Sequence, residues 1–278
     1  MAPAFELAAA VATGLGVGLL SALAGIGGGV LMVPFLYVVY ARTGLTISAQ
    51  TVVAHATSLG VAFVTSGVGT WRYARARAVE WGPAVIYSIP GILTAFVTAR
   101  ILSRAEQAHW VRMVFALFLL VSAWDMTRRA RAPHATAADP DPTARHEWIL
   151  LGVIGAIGGA ASALLGIGGG LIAVPALMYV GRLPVRAVAP TALAGVTLTT
   201  LSGGLGYLTA GPGPAVSQHM AGFLDLRMLA PLSLGAVLTV PIGVRVNRTS
   251  RPQTLYWIFA GVFAVIGAWI FVQALEAR

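Results

Sequence analysis

The chain is 278 residues long, 58% hydrophobic and only 10% charged, with a mean hydropathy of +0.83. Soluble domains carry roughly 25% charged residues, so this composition excludes an ordinary soluble domain and points to an integral membrane protein. The formal charge of +9 comes wholly from arginine, since there is no lysine, and the lack of cysteine excludes a disulfide framework, a thiolate metal site and a cysteine nucleophile.

The N-terminal MAPAFELAAA has no basic n-region and carries Glu6, so the apolar segment that follows reads as a retained first helix rather than a cleaved signal peptide. An apolar helix of about 20 residues crosses the hydrocarbon core, and the chain divides into ten apolar pieces near that size or shorter. They cover roughly residues 4–24, 28–40, 47–71, 81–101 and 109–126, then 148–165, 169–180, 184–208, 224–246 and 254–275. Between the two sets lies RRARAPHATAADPDPTARHE, residues 128–147. Too little of it is apolar to fold alone, so it reads as a flexible cytoplasmic linker. The expected organisation is a first transmembrane repeat over 1–127, the linker over 128–147 and a second repeat over 148–278.

The two sets match piece by piece. GIGGGVLMVPFL at 25–36 corresponds to GIGGGLIAVPAL at 166–177, so Pro34 falls opposite Pro175. Thr57-Ser58-Leu59 corresponds to Thr191-Ala192-Leu193, Val79-Glu80-Trp81 to Leu224-Asp225-Leu226, and Arg100 to Arg245. Twelve of the arginines fall in loops on one side of the alternating segments and six on the other, which sets the orientation by the positive-inside rule. The same rule accounts for the basic charge without a nucleic-acid partner. An odd number of crossings per half, or its equivalent, makes the repeats inverted, as in secondary transporters. The expected fold is an all-α integral membrane protein of two inverted repeats, each with about 4–5 transmembrane segments and a helix broken at GIGGG.

Glycine and proline cost roughly 1 and 3 kcal/mol against alanine in a helix interior, and lipid offers no water to a freed backbone group. GIGGG is not a nucleotide loop, because it lacks the GK[ST] ending and a βαβ context. Close helix packing is one reading. A discontinuous helix is the stronger one, since a helix N-terminus with unpaired N–H groups binds anions. Backbone N–H groups of Gly27, Gly28 and Gly29, and of Gly168, Gly169 and Gly170, are then the expected substrate donors. Thr57, Ser58 and Thr191 are the candidate lining hydroxyls, although such groups usually bond to their own helix or glue helices together.

His55 lies within an apolar segment and is a candidate gating or proton-relay group, with Pro190 or Thr191 as its expected counterpart. Arg100 and Arg245 close matched segments and are candidate gates, against a default of snorkelling to the interface. Glu80, Asp125 and Asp225 sit near segment ends, so no midplane carboxylate points to a dedicated cation transporter. There is no HExxH and no readable catalytic triad, so neither an enzyme nor a metal or other cofactor is expected.

In GIGGGVLMVPFL and GIGGGLIAVPAL, with HATSLG and PTALAG in the following segments and VEW and LDL at the next turns, the chain resembles the sulfite exporter TauE/SafE family of membrane permeases. The resemblance covers nearly the whole chain. It departs at Ala192, where a serine is common. It implies export of a small anion, sulfite or a sulfonate such as sulfoacetate, across the bacterial inner membrane. The expected partners are therefore a small sulfur-containing anion and membrane lipid, with homodimerisation open. An anion channel, or a scaffold using the glycines only for packing, are the alternatives.

Overall fold

The structure, a computed structural model, describes residues 3–25, 27–104, 110–131, 145–214, 218–249 and 252–276. Ten helices lie among them. The first five are α1 (Pro3–Ala24), α2 (Gly29–Tyr40), α3 (Ile47–Arg75), α4 (Trp81–Leu102) and α5 (Trp110–Arg131). The others are α6 (Arg145–Leu165), α7 (Gly170–Tyr179), α8 (Val185–Leu208), α9 (Leu226–Thr249) and α10 (Pro252–Glu276). A small antiparallel hairpin, β1 (Met220–Ala221) with β2 (Leu224–Asp225), precedes α9 and turns at Gly222, whose φ is +56°.

Among the described residues, seven helices are long and apolar enough to cross a membrane. The molecule is an all-α, multi-pass membrane protein. α2 and α7 have 12 and 10 residues. At 1.5 Å per residue they reach about 18 and 15 Å, short of a core about 30 Å thick. Helix takes up both ends of the stretch 128–147, because α5 continues to Arg131 and α6 begins at Arg145. Residues 132–144 of that stretch lie outside the described residues.

α3 and α8 form the centre. Of their apolar windows 72% and 78% is buried, against 33–44% for the other five spans. They also carry most of the buried serine and threonine hydroxyls, and the fold satisfies these internally. Thr65 donates to the Val61 carbonyl at 2.8 Å, Ser66 to Ala62 at 2.6 Å, Thr197 to Leu193 at 2.8 Å and Thr200 to Val196 at 2.7 Å. Such back-bonding lets polar residues occupy a water-free core.

Around this pair, α1 packs along α9, α6 along α4, and α5 along α10. Exchanging α1–α5 for α6–α10 turns the first two pairings into each other and the third into itself. The match extends to single residues. A Cβ on Gly14 would strike the Leu232 carbonyl and one on Gly18 the Ala236 carbonyl. On the other side, a Cβ on Gly155 would strike the Tyr87 carbonyl and one on Gly159 the Gly91 carbonyl. Glycines four apart thus let two pairs of helices meet backbone to backbone, where dispersion replaces the hydrophobic effect as the adhesive force.

The arginine-rich loops are edged by stacked aromatics. The Arg75 guanidinium lies 4.6 Å from the Trp71 ring centre, Arg128 lies 4.7 Å from Trp124, and Arg131 lies 5.6 Å from Trp257. Tryptophan and arginine are both favoured at the headgroup level.

Candidate anion site at the helix breaks

Each GIGGG segment ends one helix and starts another through a run of left-handed backbone. Gly25, Gly27 and Gly28 have φ of +73°, +85° and +84°, and Gly166, Gly168 and Gly169 have +67°, +84° and +75°. Only glycine takes this conformation freely. α2 then starts at Gly29 and α7 at Gly170, and no side chain caps either start. Elsewhere the fold does supply a cap: the Thr46 hydroxyl at the start of α3 accepts from Ala49 N at 3.3 Å.

The two breaks touch. A Cβ on Gly27 would lie 2.8 Å from Val196 Cγ1 and 3.7 Å from Gly168 Cα, while one on Gly29 would run into the Gly166 carbonyl and Ile167 Cα. Gly25 packs on Ala189 and Gly166 on His55, with the added Cβ 2.9 and 2.8 Å from the respective Cα atoms. Ala189, rather than Pro190 or Thr191, is therefore the counterpart of His55. Close packing and helix interruption are both real properties of the motif.

The two sides of each break are treated differently. On the C-terminal side, orphan carbonyls are taken by side chains. Tyr73 donates to the Ala22 carbonyl at 2.9 Å and Tyr207 to the matching Ala163 carbonyl at 3.0 Å. Asn247 donates to Leu23 at 2.5 Å and Ser58 to Gly166 at 2.7 Å. On the N-terminal side, the first N–H groups of a helix have no intrahelical acceptor, and here no side chain supplies one. Beside each start is a serine with an unused hydroxyl. Ser21 and Ser162 are 1% and 0% exposed, and neither Oγ has a hydrogen-bond partner among the described residues. Ser21 Cβ would be 3.5 Å from a Cβ on Gly28, and Ser162 Cβ 3.3 Å from one on Gly169. Ser21 and Gly28 border a small, mainly apolar pocket whose other walls are Leu20, Val30, Leu31, Val262 and Phe263.

The other expected site residues are placed as follows. Thr57 Oγ1 accepts from Asp225 N at 3.0 Å, and Thr191 Oγ1 accepts from Glu80 N at 3.1 Å. The matched threonines thus hold the turns that open α9 and α4. Tyr40 also donates to Asp225 Oδ2 at 3.1 Å, so this acidic turn is held from two helices. His55 is fully buried, with Nε2 2.5 Å from Tyr37 Oη and its ring edge-on to Phe115. Arg100 does not join the breaks; its Nη1 donates to the Thr209 carbonyl and hydroxyl at the end of α8. Arg245 is exposed on α9.

Sequence reasoning missed Ser21 and Ser162, although SALAG at 21–25 and SALLG at 162–166 repeat the same spacing ahead of the motif. It also missed Arg112, which is buried at 9% exposure inside α5.

Short helices with uncapped N-termini, set in a multi-pass helical bundle, are a pattern found in membrane transporters. The model of the sulfite exporter TauE/SafE family matches residues 10–270, and the chain belongs to that family. It is 24% identical to a "Probable membrane transporter protein" of Methanocaldococcus jannaschii over 92% of both chains. It is likewise 24% identical to the "Probable membrane transporter protein YunE" of Bacillus subtilis, over 95% of this chain and 97% of that one. A Xylella fastidiosa protein of the same description is 30% identical over 67% of this chain and 69% of its own. No solved structure matches significantly.

Proposed function

We propose that this membrane transporter exports a small sulfur-containing anion, sulfite or an organosulfonate such as sulfoacetate, across the inner membrane by alternating access between two inverted repeats. The observation that carries the reading is the one-sidedness of the breaks. Side chains serve the carbonyl ends, while the N–H ends are left open beside the buried, unpartnered hydroxyls of Ser21 and Ser162. Free N–H groups and the helix dipole favour an anion there, and a hydroxyl donor adds a directed bond.

On this reading the backbone N–H groups of Gly27–Gly29 and Gly168–Gly170 face the substrate oxygens, with Ser21 and Ser162 as further donors. Thr57, Ser58 and Thr191 already spend their hydroxyls on the protein, and they position the surrounding turns. The family's description supplies the sulfur oxyanion as substrate class. The excess of arginine in one set of loops supports the inner membrane, with those loops cytoplasmic.

The test is efflux from proteoliposomes loaded with sulfite, with sulfoacetate, or with glucose as a neutral control. Saturable efflux of at least one of the two anions, absent from protein-free vesicles, is expected. Efflux that rises linearly with concentration would indicate a channel, and no anion movement above the protein-free rate would leave the glycines to packing alone.

A further inference from the structure

Arg112 is the third residue of α5 and is 9% exposed. Its Nε donates to Thr51 Oγ1 at 2.8 Å, and its Nη2 donates to Gln50 Oε1 at 3.1 Å and to the Ile47 carbonyl at 3.5 Å. The guanidinium carbon lies 4.2 Å from the centre of the Tyr37 ring. Every one of these partners is neutral. The arginine–carboxylate pairs among the described residues are Arg182 with Glu147 and Arg227 with Glu6. Among the described residues, Arg112 is thus a buried cation with no counter-charge, and the bonds it makes there leave Nη1 unused.

The backbone around it has the same sign. Ile47, Gln50 and Thr51 belong to the first turns of α3, and Arg112 to the first turn of α5. Helix starts carry partial positive charge, so a cation is ordinarily found at the other end. A guanidinium and two helix starts in one place are complementary to an anion, and arginine's planar fork suits an oxyanion.

The cluster is also one-sided. In the register set by the repeats, Tyr37 matches Met178, His55 matches Ala189 and Arg112 matches Trp257. The second half reaches the same architecture with apolar residues at these places, so the fold does not require the cluster. It connects inward as well: Tyr37 meets His55 at 2.5 Å, and His55 packs on Gly166 at the second helix break.

We propose that Arg112 is a second anion-binding station, backed by Tyr37 and His55, on the route between the arginine-poor face and the Gly166 break. It takes a small oxyanion, sulfite or a sulfonate head group. The onward route rests on the transport reading above, whereas binding at Arg112 does not. A lipid phosphate shares the chemistry, so the test separates the two sources.

The experiment follows the melting temperature of the full chain in phosphatidylcholine nanodiscs during titration with sulfite and, separately, methanesulfonate. The Ser21→Ala/Ser162→Ala double variant isolates this station from the helix breaks. It is expected to keep an anion-dependent rise, and adding Arg112→Gln is expected to raise the half-saturating concentration about tenfold or more, the loss of one charge-assisted bond. Arg112→Lys, which keeps the charge and loses the fork, falls between. An unchanged half-saturating concentration in both Arg112 variants overturns the proposal, even where Arg112→Gln lowers the starting melting temperature as a lost strut would. Discs containing phosphatidylglycerol form the second arm. Arg112-dependent stabilisation by that lipid with no response to either soluble anion also overturns it, in favour of a headgroup site. Failure of sulfite efflux in proteoliposomes with the Arg112-dependent shift intact sinks the transport reading alone.

Discussion

Ser21 and Ser162 occupy equivalent places, four residues before Gly25 and Gly166, and both hydroxyls are buried without a hydrogen-bond partner. Other helical hydroxyls in the molecule, such as Ser66 and Thr200, turn back to their own carbonyls. A buried donor left unpaired costs roughly 1–3 kcal/mol. Replacing either serine by alanine is therefore expected to leave the melting temperature in detergent unchanged or raised, while lowering apparent anion affinity about tenfold. Thermal melts and the concentration dependence of efflux read the two effects separately. A fall in stability with unchanged affinity would contradict the assignment.

The glycines of the breaks carry a different cost. Gly28 has φ of +84°, and a Cβ there would lie 2.5 Å from Val17 Cγ1. Gly28→Ala is expected to destabilise by about 1–2 kcal/mol from backbone strain alone, before the clash. Gly261→Ala is the control, since it lies within α10 with nothing near its Cβ position, and it is expected to stabilise by up to about 1 kcal/mol. Melting temperatures of the two single variants check the contrast. Larger substitutions at the breaks test folding before they test transport.

Tyr73 and Tyr207 close the ends of α1 and α6 through equivalent bonds to Ala22 and Ala163. Removing either hydroxyl as phenylalanine strands a carbonyl that lipid cannot solvate, at an expected cost of about 1 kcal/mol each. The two losses are expected to be similar in size and additive, because the sites share no partner. Single and double variants in one denaturation series decide this, and a loss confined to one tyrosine would argue against equivalence.

Thr57 and Thr191 accept from the backbone of Asp225 and Glu80. Thr57→Val and Thr191→Val are expected to cost about 1–3 kcal/mol through the unpaired N–H group. Their half-saturating anion concentration should remain near wild type. A pronounced loss of affinity at full stability would return these hydroxyls to the substrate.

The helical class, the ten apolar pieces and the two interruptions were legible because each rests on local pattern. The breaks fall within one residue of their expected start, since glycine runs and prolines are incompatible with continuous helix. The hairpin at 220–225 was not legible, as strands of two residues have no periodicity. The counterpart of His55 was misplaced because the register changes along the chain. Gly25 and Gly166 are 141 positions apart, whereas Thr57 and Thr191 are 134 apart. Arg112 reads in sequence as an ordinary arginine near a segment end, and only the packing of α3 and α2 around it makes it a buried charge. The serines were visible as letters, but an unmade bond is a property of coordinates.

The glycine seams have a consequence for motion. Each joins a helix of one half to a helix of the other: Gly14 and Gly18 of α1 lie on α9, and Gly155 and Gly159 of α6 lie on α4. Backbone set against backbone cannot slide by an ångström without losing its contacts. On the alternating access proposed above, movement of one repeat against the other would have to break these seams. The bodies proposed to move are therefore better framed as composites, α1 with α9 and α6 with α4, packed around the central α3–α8 pair.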